Sequence, residues 1–194
     1  MNNKSLRGTQ TEVNLAISYA AESMAYSRYT FFAKAAEKEG YHQYASVFNE
    51  TAANELHHAK IFLRFMNEGN VTTRPMTIDA GVIGTTAENL AVAASEEQRE
   101  GVEAYTSFAD VAEKEGFTEI AARFRAIATI ERRHEERFRL FLQRINDGSV
   151  WKREQPIKWQ CQVCGYIFEG VQPPEKCPAC QHPYQFFMPE EDNY

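Results

Sequence analysis

The sequence predicts a mainly α-helical protein, in which a four-helix bundle is followed by a small cysteine-rich domain with little helix. Proline divides the two parts, because the first 147 residues contain only Pro75 and six prolines follow residue 148. Since proline is excluded from helix interiors, long helices are confined to the first part. All four cysteines lie between Cys161 and Cys180, in the second part. The predicted boundaries are 1–147 for the bundle, 148–158 for a linker and 159–194 for the cysteine-rich domain.

An internal repeat predicts how the bundle is built. The segment 35–41, Ala-Ala-Glu-Lys-Glu-Gly-Tyr, recurs at 111–117 as Val-Ala-Glu-Lys-Glu-Gly-Phe, and the same offset holds downstream. The repeating unit is a helical hairpin, and two hairpins make a four-helix bundle. The predicted helices are A, Thr9–Glu39; B, Tyr41–Glu68; C, Thr86–Glu115; and D, Phe117–Asp147.

Residues at the ends of the predicted helices are typical of helix starts and stops. Thr9, followed three residues later by Glu12, forms a capping box at the start of helix A. Gly40 and Gly116 fit the left-handed position that ends helices A and C, and the short turns there make each hairpin antiparallel. The connection from B to C, Gly69–Thr85, is much longer, so it predicts a crossover of the kind found in ferritin-like bundles.

The composition limits the possible kinds of protein. The chain has 194 residues, of which 43% are hydrophobic and 25% charged, as in ordinary globular domains. No apolar run approaches the roughly 18 residues of a membrane span, and the N-terminus lacks an apolar signal segment. A formal net charge of −6 provides no basic surface for nucleic acid. Clustered cysteines favour a local metal site in a reducing compartment, so we expect a cytoplasmic protein without membrane or nucleic-acid partners.

The buried stripes of helices B and D carry ionisable residues where a core is expected. Each stripe is apolar at both ends and has a Glu-x-x-His motif in the middle, Glu55 with His58 and Glu131 with His134. The three-residue step places the two side chains of each motif on one face of the helix. A single such motif is usually a solvated surface pair, but two copies at matching repeat positions favour a buried site.

Helices A and C each add a carboxylate to the same layer, Glu22 and Glu97. Four buried carboxylates would repel one another or take up protons unless a multivalent cation neutralised them. Two Glu-x-x-His helices facing two further glutamates form the donor set of a di-iron or di-manganese carboxylate centre. Glu96 precedes Glu97 directly and competes with it for the inward position.

Helix C carries one extra residue relative to helix A, because seven residues separate Glu22 from Tyr29 and eight separate Glu97 from Tyr105. A single insertion in a helix is usually absorbed as a π-bulge, often at a functional site. The bulge could turn Glu100 inward as a fifth carboxylate, or Glu100 could stay on the surface. The two tyrosines are either hydrogen-bond donors to metal-binding carboxylates or ordinary core residues.

The C-terminal domain contains two Cys-x-x-Cys pairs, Cys161 with Cys164 and Cys177 with Cys180. This spacing is typical of a tetrahedral four-thiolate metal site. A module of this size needs a metal to fold, because its apolar core is too small. The geometry leaves zinc and iron open: zinc would be a structural clip and iron a one-electron carrier.

Together these motifs resemble rubrerythrin over essentially the whole chain. The resemblance implies two non-haem irons in the bundle, with Glu55 and Glu131 bridging, and a single rubredoxin-type iron in the tail. In the family, the carboxylate at position 100 is exchanged for the histidine at position 58 when the irons are reduced. Ala21, Glu96 and Gln181 depart from the glycines that the family often has at these positions. The implied ligands are Glu22, Glu55, His58, Glu97, Glu100, Glu131 and His134 for the di-iron centre and Cys161, Cys164, Cys177 and Cys180 for the rubredoxin-type iron.

The resemblance also implies an activity, the reduction of hydrogen peroxide to water as protection against oxidative stress. The electrons would come from reduced pyridine nucleotide through a separate reductase or a rubredoxin, because the chain has no glycine-rich dinucleotide motif. Helix D continues for about 20 Å beyond His134, and linker 148–158 can span roughly 40 Å when extended. We therefore expect a homodimer or higher homo-oligomer in which each tail approaches the neighbouring bundle. The alternatives are a ferroxidase or iron-handling protein and a non-enzymatic electron-transfer protein with zinc in the tail.

Overall fold

Four helical rods form the bundle in the computed structural model, which describes residues 4–73, 75, 76, 78 and 81–190. Helices A, B and D are single α-helices, whereas helix C consists of three consecutive segments. Helix B ends three residues earlier than predicted, and the other predicted ends agree within two residues. The helical elements are α1, Gln10–Lys38; α2, His42–Phe65; α3, Thr86–Glu96; a π segment, Glu97–Ala104; α4, Tyr105–Lys114; and α5, Thr118–Asn146.

The predicted capping residues lie where the sequence places them. The Thr9 side chain accepts a hydrogen bond from the backbone amide of Glu12 at the start of α1. The Glu12 carboxylate accepts from the amide of Gly8 instead of Thr9, so the predicted capping box is only half formed. Gly40 and Gly116 adopt φ angles of +85° and +80°, the left-handed conformation that ends a helix and that residues with a Cβ rarely adopt. Both turns are therefore tight, and each hairpin is antiparallel.

Two repeat-related glutamates fix the relative direction of the hairpins. The Glu115 carboxylate, at the end of α4, accepts hydrogen bonds from the backbone amides of Gln10 and Thr11 at the start of α1. Glu39, the counterpart of Glu115 in the first repeat, accepts from the backbone amide of Thr86 at the start of α3. Helix C is therefore antiparallel to α1 and parallel to α2, so the connection from α2 to α3 must cross the length of the bundle, as predicted. Residues 74, 77, 79 and 80 of this crossover lie outside the described part of the chain.

We expect Glu115→Ala to lower the free energy of unfolding by about 1 kcal/mol, because it leaves the first amides of α1 without their acceptor. Glu113→Ala is the matched control. Glu113 is also near the end of α4, but it makes only an exposed ion pair with Arg125, which is worth little. Urea denaturation of both variants measures the difference, and equal losses would contradict the capping role.

Aromatic layers lie on either side of the polar layer of the bundle. Towards the α1–α2 turn, Phe48 packs between Tyr29 and Phe138, with ring centroids 6.1 and 5.2 Å away. Towards the other end, Phe62 packs against Tyr105 and Phe124 at 5.4 and 5.0 Å. The glutamates between these layers are therefore shielded from solvent along the bundle axis.

The tail is a three-stranded antiparallel sheet with the order β2-β1-β3. Its buried core contains Trp159, Cys161, Cys177 and Phe187. A core this small contains too little apolar surface to fold the domain alone. The strands are β1, Ile157–Cys161; β2, Ile167–Gly170; and β3, Phe187–Pro189.

The linker is folded against the bundle rather than extended. Val150 is buried in the bundle core, and the Trp151 ring stacks on Tyr41 at 5.5 Å. In the tail, Phe186 stacks on His42, the first residue of α2, at 3.8 Å. Burial of these apolar rings explains why the linker does not use its extended reach, and it places the tail beside the α1–α2 turn of its own chain.

Candidate metal centres

Each of the four rods contributes one carboxylate to the polar layer of the bundle. The stripes of α2 and α5 also contribute their histidines, and all six residues are at least 95% buried. The residues are Glu22 from α1, Glu55 and His58 from α2, Glu97 from the π segment, and Glu131 and His134 from α5.

Glu55 and Glu131 lie between the two imidazoles. Nδ1 of His58 is 3.0 Å from Oε2 of Glu55 and 2.9 Å from Oε1 of Glu131. Nδ1 of His134 is 3.2 Å from Oε1 of Glu55 and 2.8 Å from Oε2 of Glu131. Each of these two carboxylates therefore offers one oxygen to each imidazole.

The other two carboxylates serve one imidazole each. Oε2 of Glu22 is 3.7 Å from Nδ1 of His58, and Oε1 of Glu97 is 3.8 Å from Nδ1 of His134. The layer therefore divides into two four-residue groups that share the two central carboxylates, and in each group the possible ligand atoms lie within 4.8 Å of one another. The groups are Glu22, Glu55, His58 and Glu131, and Glu55, Glu97, Glu131 and His134.

These groups fit two divalent cations. Metal–ligand bonds of about 2.1 Å at right angles place neighbouring ligand atoms roughly 3.0 Å apart, as observed between the imidazoles and the shared carboxylates. Oε1 of Glu55 and Oε1 of Glu131 are buried, and among the residues described they have no partner besides the imidazole nitrogens. A cation in each group would satisfy these oxygens and neutralise the carboxylates.

The pKa values of the cluster show how strongly it needs positive charge. Burial raises the pKa of the Glu22 and Glu97 carboxyls well above their usual range, and neighbouring carboxylates raise it further. Burial lowers the pKa of His134, but the carboxylates of Glu131 and Glu55 outweigh this effect and raise it to about 9. In the absence of metal, bound protons therefore supply the positive charge.

Two buried tyrosines donate hydrogen bonds to Glu22 and Glu97, the two carboxylates that each approach only one imidazole. The hydroxyl of Tyr29 donates to Oε1 of Glu97 at 2.7 Å, and that of Tyr105 donates to Oε1 of Glu22 at 2.6 Å. Burial raises the pKa of both tyrosines well above the usual value, so both remain donors. The two bonds cross between α1 and helix C and orient the carboxylates from both sides.

The extra residue of helix C forms the predicted π-helical turn, Glu97–Ala104. Within it, a Cβ added to Gly101 would lie 2.4 Å from Cβ of Glu131. The backbone of the π segment therefore packs directly on α5 at a shared carboxylate, and only glycine fits there. The sequence signal was a glycine on the inward face of a helix, where glycine is otherwise unfavourable.

The structure does not bring Glu100 into either group. Its side chain is 45% exposed and forms an ion pair with Arg99 at 3.0 Å. The inward position that the family resemblance implies for Glu100 is therefore not observed, and the imidazole of His58 lies among three of the carboxylates. The competition between the neighbouring acids is also resolved, since Glu96 pairs with Arg28 and Glu97 alone points into the cluster.

Two cavities reach the cluster from opposite sides. A cavity of about 220 Å³ lies between α1 and the π segment, has the Glu22, Glu55, Glu97 and Glu131 side chains in its wall, and is also lined by Glu100. The second cavity, of about 440 Å³, lies between α2 and α5 and is lined by His134 and Asn54. The first is therefore a route to the carboxylates, and the second approaches the outer edge of one imidazole.

The four cysteines of the tail converge on one point. The sulfur of Cys161 is 3.7 Å from that of Cys180, and the sulfur of Cys164 is 3.6 Å from that of Cys177. Four sulfurs about 2.3 Å from a central ion lie roughly 3.75 Å apart at the corners of a tetrahedron. The spacing therefore fits a four-thiolate metal site.

A crossover bundle with a shared carboxylate–histidine cluster belongs to the ferritin-like class, and the tail is a rubredoxin-like four-cysteine domain. The Rubrerythrin family model matches residues 13–142, and the model for the rubrerythrin rubredoxin-like domain matches residues 159–188. The chain therefore belongs to the rubrerythrin family, and its metal centres are a di-iron site with glutamate and histidine ligands and a four-cysteine rubredoxin-like site.

Individual relatives match over nearly the whole chain. A rubrerythrin of Porphyromonas gingivalis is 50% identical over 192 residues, which cover 99% of this chain and 96% of the relative. A rubrerythrin of Nitratidesulfovibrio vulgaris is 44% identical over 184 residues, with 95% and 96% covered. A solved structure of nigerythrin in its fully reduced, all-ferrous state is 29% identical, covers 98% of this chain and 94% of its own, and gives a TM-score of 0.63. These matches confirm the predicted fold class and family. In the described part of the chain, no helix is long and apolar enough to span a membrane.

Proposed function

We propose that this protein is a non-haem di-iron peroxidase that reduces hydrogen peroxide to water, with electrons delivered through the four-cysteine site of the tail. The overall reaction consumes one peroxide, two electrons and two protons and releases two waters. The observation that carries the proposal is the presence of both parts in one chain, a two-cation cluster beside an open cavity and a four-thiolate site. An iron-storage protein has no need of a built-in electron inlet.

The glutamates of the bundle have different proposed roles in holding the two irons. When bound, a pair of ferrous ions supplies the two electrons that cleave the O–O bond. Glu55 and Glu131 would bridge the two cation positions, because each offers one oxygen to each group. Glu22 and Glu97 would complete the positions, held in place by their tyrosine hydrogen bonds.

Glu100 stands between the cavity and solvent and has two proposed tasks. Its carboxylate lines the cavity while 45% of the side chain is exposed, so it can carry protons from solvent to the reacting oxygens. The family resemblance adds the second task, in which Glu100 enters the cluster in the oxidised state and His58 takes that place in the reduced state. In the structure the His58 imidazole lies inside the cluster and the Glu100 carboxylate lies outside it.

We propose that electrons pass between subunits, because the tail packs beside the α1–α2 turn of its own bundle and not beside the cluster. The tail contacts its own bundle near His42 and Ser46, and nine residues of α2, about 14 Å of helix, separate Ser46 from Glu55. On the outer surface of α2 and α5, four large apolar side chains are exposed, as at a protein interface. We propose a homodimer in which the tail of one chain approaches this surface of the other. The exposed residues are Leu56, Leu63, Ile130 and Leu140.

Mixed dimers test the delivery route. Glu131→Gln removes one of the two shared ligands of the bundle, and Cys164→Ser removes a ligand of the tail, so each homodimer should be inactive with the reductase. After dissociation and random re-pairing, half of the dimers are mixed and contain one complete route, so about a quarter of wild-type turnover should return. No recovery in verified mixed dimers would contradict delivery between subunits, as would a monomeric mass by analytical ultracentrifugation.

Stopped-flow spectroscopy under anaerobic conditions tests the activity itself. The reduced iron-loaded protein, which holds three electrons per chain, is mixed with two equivalents of peroxide, and the absorbance of both iron centres is followed. We expect both centres to be reoxidised, and much faster than by dioxygen. If neither centre is reoxidised, the peroxidase proposal is wrong. Faster reaction with dioxygen and retention of ferric iron would favour a ferroxidase. A colourless tail would indicate zinc.

A further inference from the structure

The two imidazoles of the di-iron cluster differ in how their outer nitrogens are held. Nε2 of His134, on the side away from the carboxylates, lies 3.3 Å from Nδ2 of the Asn54 carboxamide on α2. Asn54 and His134 line the cavity between α2 and α5, where the carboxamide is partly buried. His134 is therefore held from both sides, by carboxylates at Nδ1 and by an amide at Nε2.

The internal repeat predicts an equivalent contact for the other imidazole, but the sequence does not provide it. The offset of the repeat relates His134 to His58 and Asn54 to Ile130. The side chain of Ile130 has no hydrogen-bonding atom. Among the residues described, the hydrogen bond and ion pairs of His58 all involve Nδ1, in contacts with Glu22, Glu55 and Glu131.

The outer contact matters because a metal-binding imidazole is oriented through its other nitrogen. When Nδ1 gives its lone pair to a cation, Nε2 carries the proton and needs an acceptor. A carboxamide presents either its oxygen or its nitrogen after half a turn about its last bond, so Asn54 can hold the ring in both protonation states. Loss of such a partner typically weakens metal affinity by about 10–100-fold.

The tyrosine-held and the shared carboxylates do not account for a difference between the two halves of the cluster. The tyrosine hydrogen bonds to Glu97 and Glu22 are 2.7 and 2.6 Å long and come from repeat-related residues. The shared carboxylates contribute one oxygen to each group. Asn54 is therefore the contact that breaks the symmetry on the histidine side.

We propose that Asn54 is a positioning residue that makes the two cation positions unequal, so that the position built on His134 holds its cation more tightly than the position built on His58. The proposal rests on the two-cation cluster of the proposed function, but not on peroxide chemistry. It also predicts that the repeat-related substitution Ile130→Asn supplies the missing contact for His58.

Zinc titration of the full-length protein, with the four-cysteine site already filled and the bundle metal-free, tests the affinities with a competing chelator. Wild type should bind the two bundle cations in two resolved steps. Asn54→Leu, which removes the hydrogen-bonding group, should weaken the tighter step by about 10–100-fold, whereas Asn54→Asp retains an acceptor and should leave it tight. Ile130→Asn should strengthen the weaker step.

Proton-exchange measurements assign the effects to individual rings. In the zinc-loaded protein labelled with ¹⁵N-histidine, the Nε2 proton of His134 should exchange slowly in wild type and Asn54→Asp and at least tenfold faster in Asn54→Leu. The Nε2 proton of His58 should exchange fast in wild type and slow down in Ile130→Asn. A merely structural role of Asn54 would not be rescued by aspartate and would not be copied at position 130.

The outcomes separate this proposal from the proposed function. Zinc has no redox chemistry, so a failure of peroxide reduction leaves these results unaffected. Two equal zinc steps in wild type, or a tight step that is unchanged in Asn54→Leu, would overturn the proposal for Asn54 alone. A bundle that binds no cation at all would instead contradict the proposed function.

Discussion

Replacing Glu131 by glutamine is expected to reduce peroxide turnover by more than about 100-fold and to leave at most one cation in each bundle. Glu131 offers one oxygen to each imidazole, so its loss removes a ligand from both positions, which exceeds the 10–100-fold effect of losing a supporting contact. The amide has nearly the same shape but carries no charge. Elemental analysis and stopped-flow kinetics measure the two effects.

Two comparisons make this result specific to the metal centre. Glu119→Gln, at an exposed position of the same helix, should retain both cations and full turnover. The metal-free form of Glu131→Gln should be at least as stable as metal-free wild type, because one buried charge has been removed. If Glu131→Gln retained two cations with unchanged affinity, Glu131 would not be a ligand shared by the two cation positions.

Cys164→Ser is expected to remove the metal of the tail and to reduce reductase-driven turnover by more than about 100-fold. In the described part of the tail the hydrophobic core cluster has four buried side chains, so the four-thiolate site supplies much of the folding free energy of the tail. The bundle should still bind its two cations and, once reduced chemically, consume one equivalent of peroxide. Visible absorbance of the tail iron and steady-state turnover are the measurements.

Val163→Ser is the matched control for the tail, because Val163 is exposed and directly precedes Cys164. This variant should keep the iron absorbance and the turnover of wild type. Unchanged reductase-driven turnover in Cys164→Ser would show that electrons reach the bundle by a route that bypasses the tail. The proposed inlet would then be wrong, although the bundle chemistry could still stand.

The sequence was sufficient for the architecture because the relevant signals are local and repeated. Proline placement separated the two parts, and the stripes of α2 and α5 placed Glu55 and Glu131 among buried aromatic residues, as the structure confirms. The Glu–Tyr spacing is one residue longer in helix C than in helix A, and this difference predicted the π turn that the structure contains. Such patterns depend only on helix periodicity, which the chain itself encodes.

The remaining features depend on contacts between distant parts of the chain. The position of Glu100 depends on how the π segment distributes its extra residue and on the presence of His58 among the carboxylates. The reciprocal caps by Glu39 and Glu115 join elements that lie far apart in the sequence. Asn54 was detectable only as a break in the repeat, since position 130 is isoleucine. Periodicity does not encode any of these contacts.

The buried acids of the bundle persist only with bound positive charge, which either protons or metal ions can supply. A rise in pH removes the protons but strengthens metal binding. Without metal, His134 has a pKa raised to about 9, so the stability gained from its protonation is complete below the unfolded pKa of about 6.5 and is lost as pH rises through 9. The raised pKa values of Glu22 and Glu97 act in the same direction above about pH 4.5. With metal, the ligands must be deprotonated, so binding strengthens as pH rises.

The most direct test is the melting temperature of the full-length protein between about pH 5 and 9, measured with and without two equivalents of divalent metal in the bundle and with the tail site filled in both samples. We predict that the metal-free protein melts at lower temperature as pH rises, that the loaded protein does not, and that the gap between them widens towards pH 9. Coincident melting temperatures across this range would show that the glutamates need no cation and would contradict the metal centre.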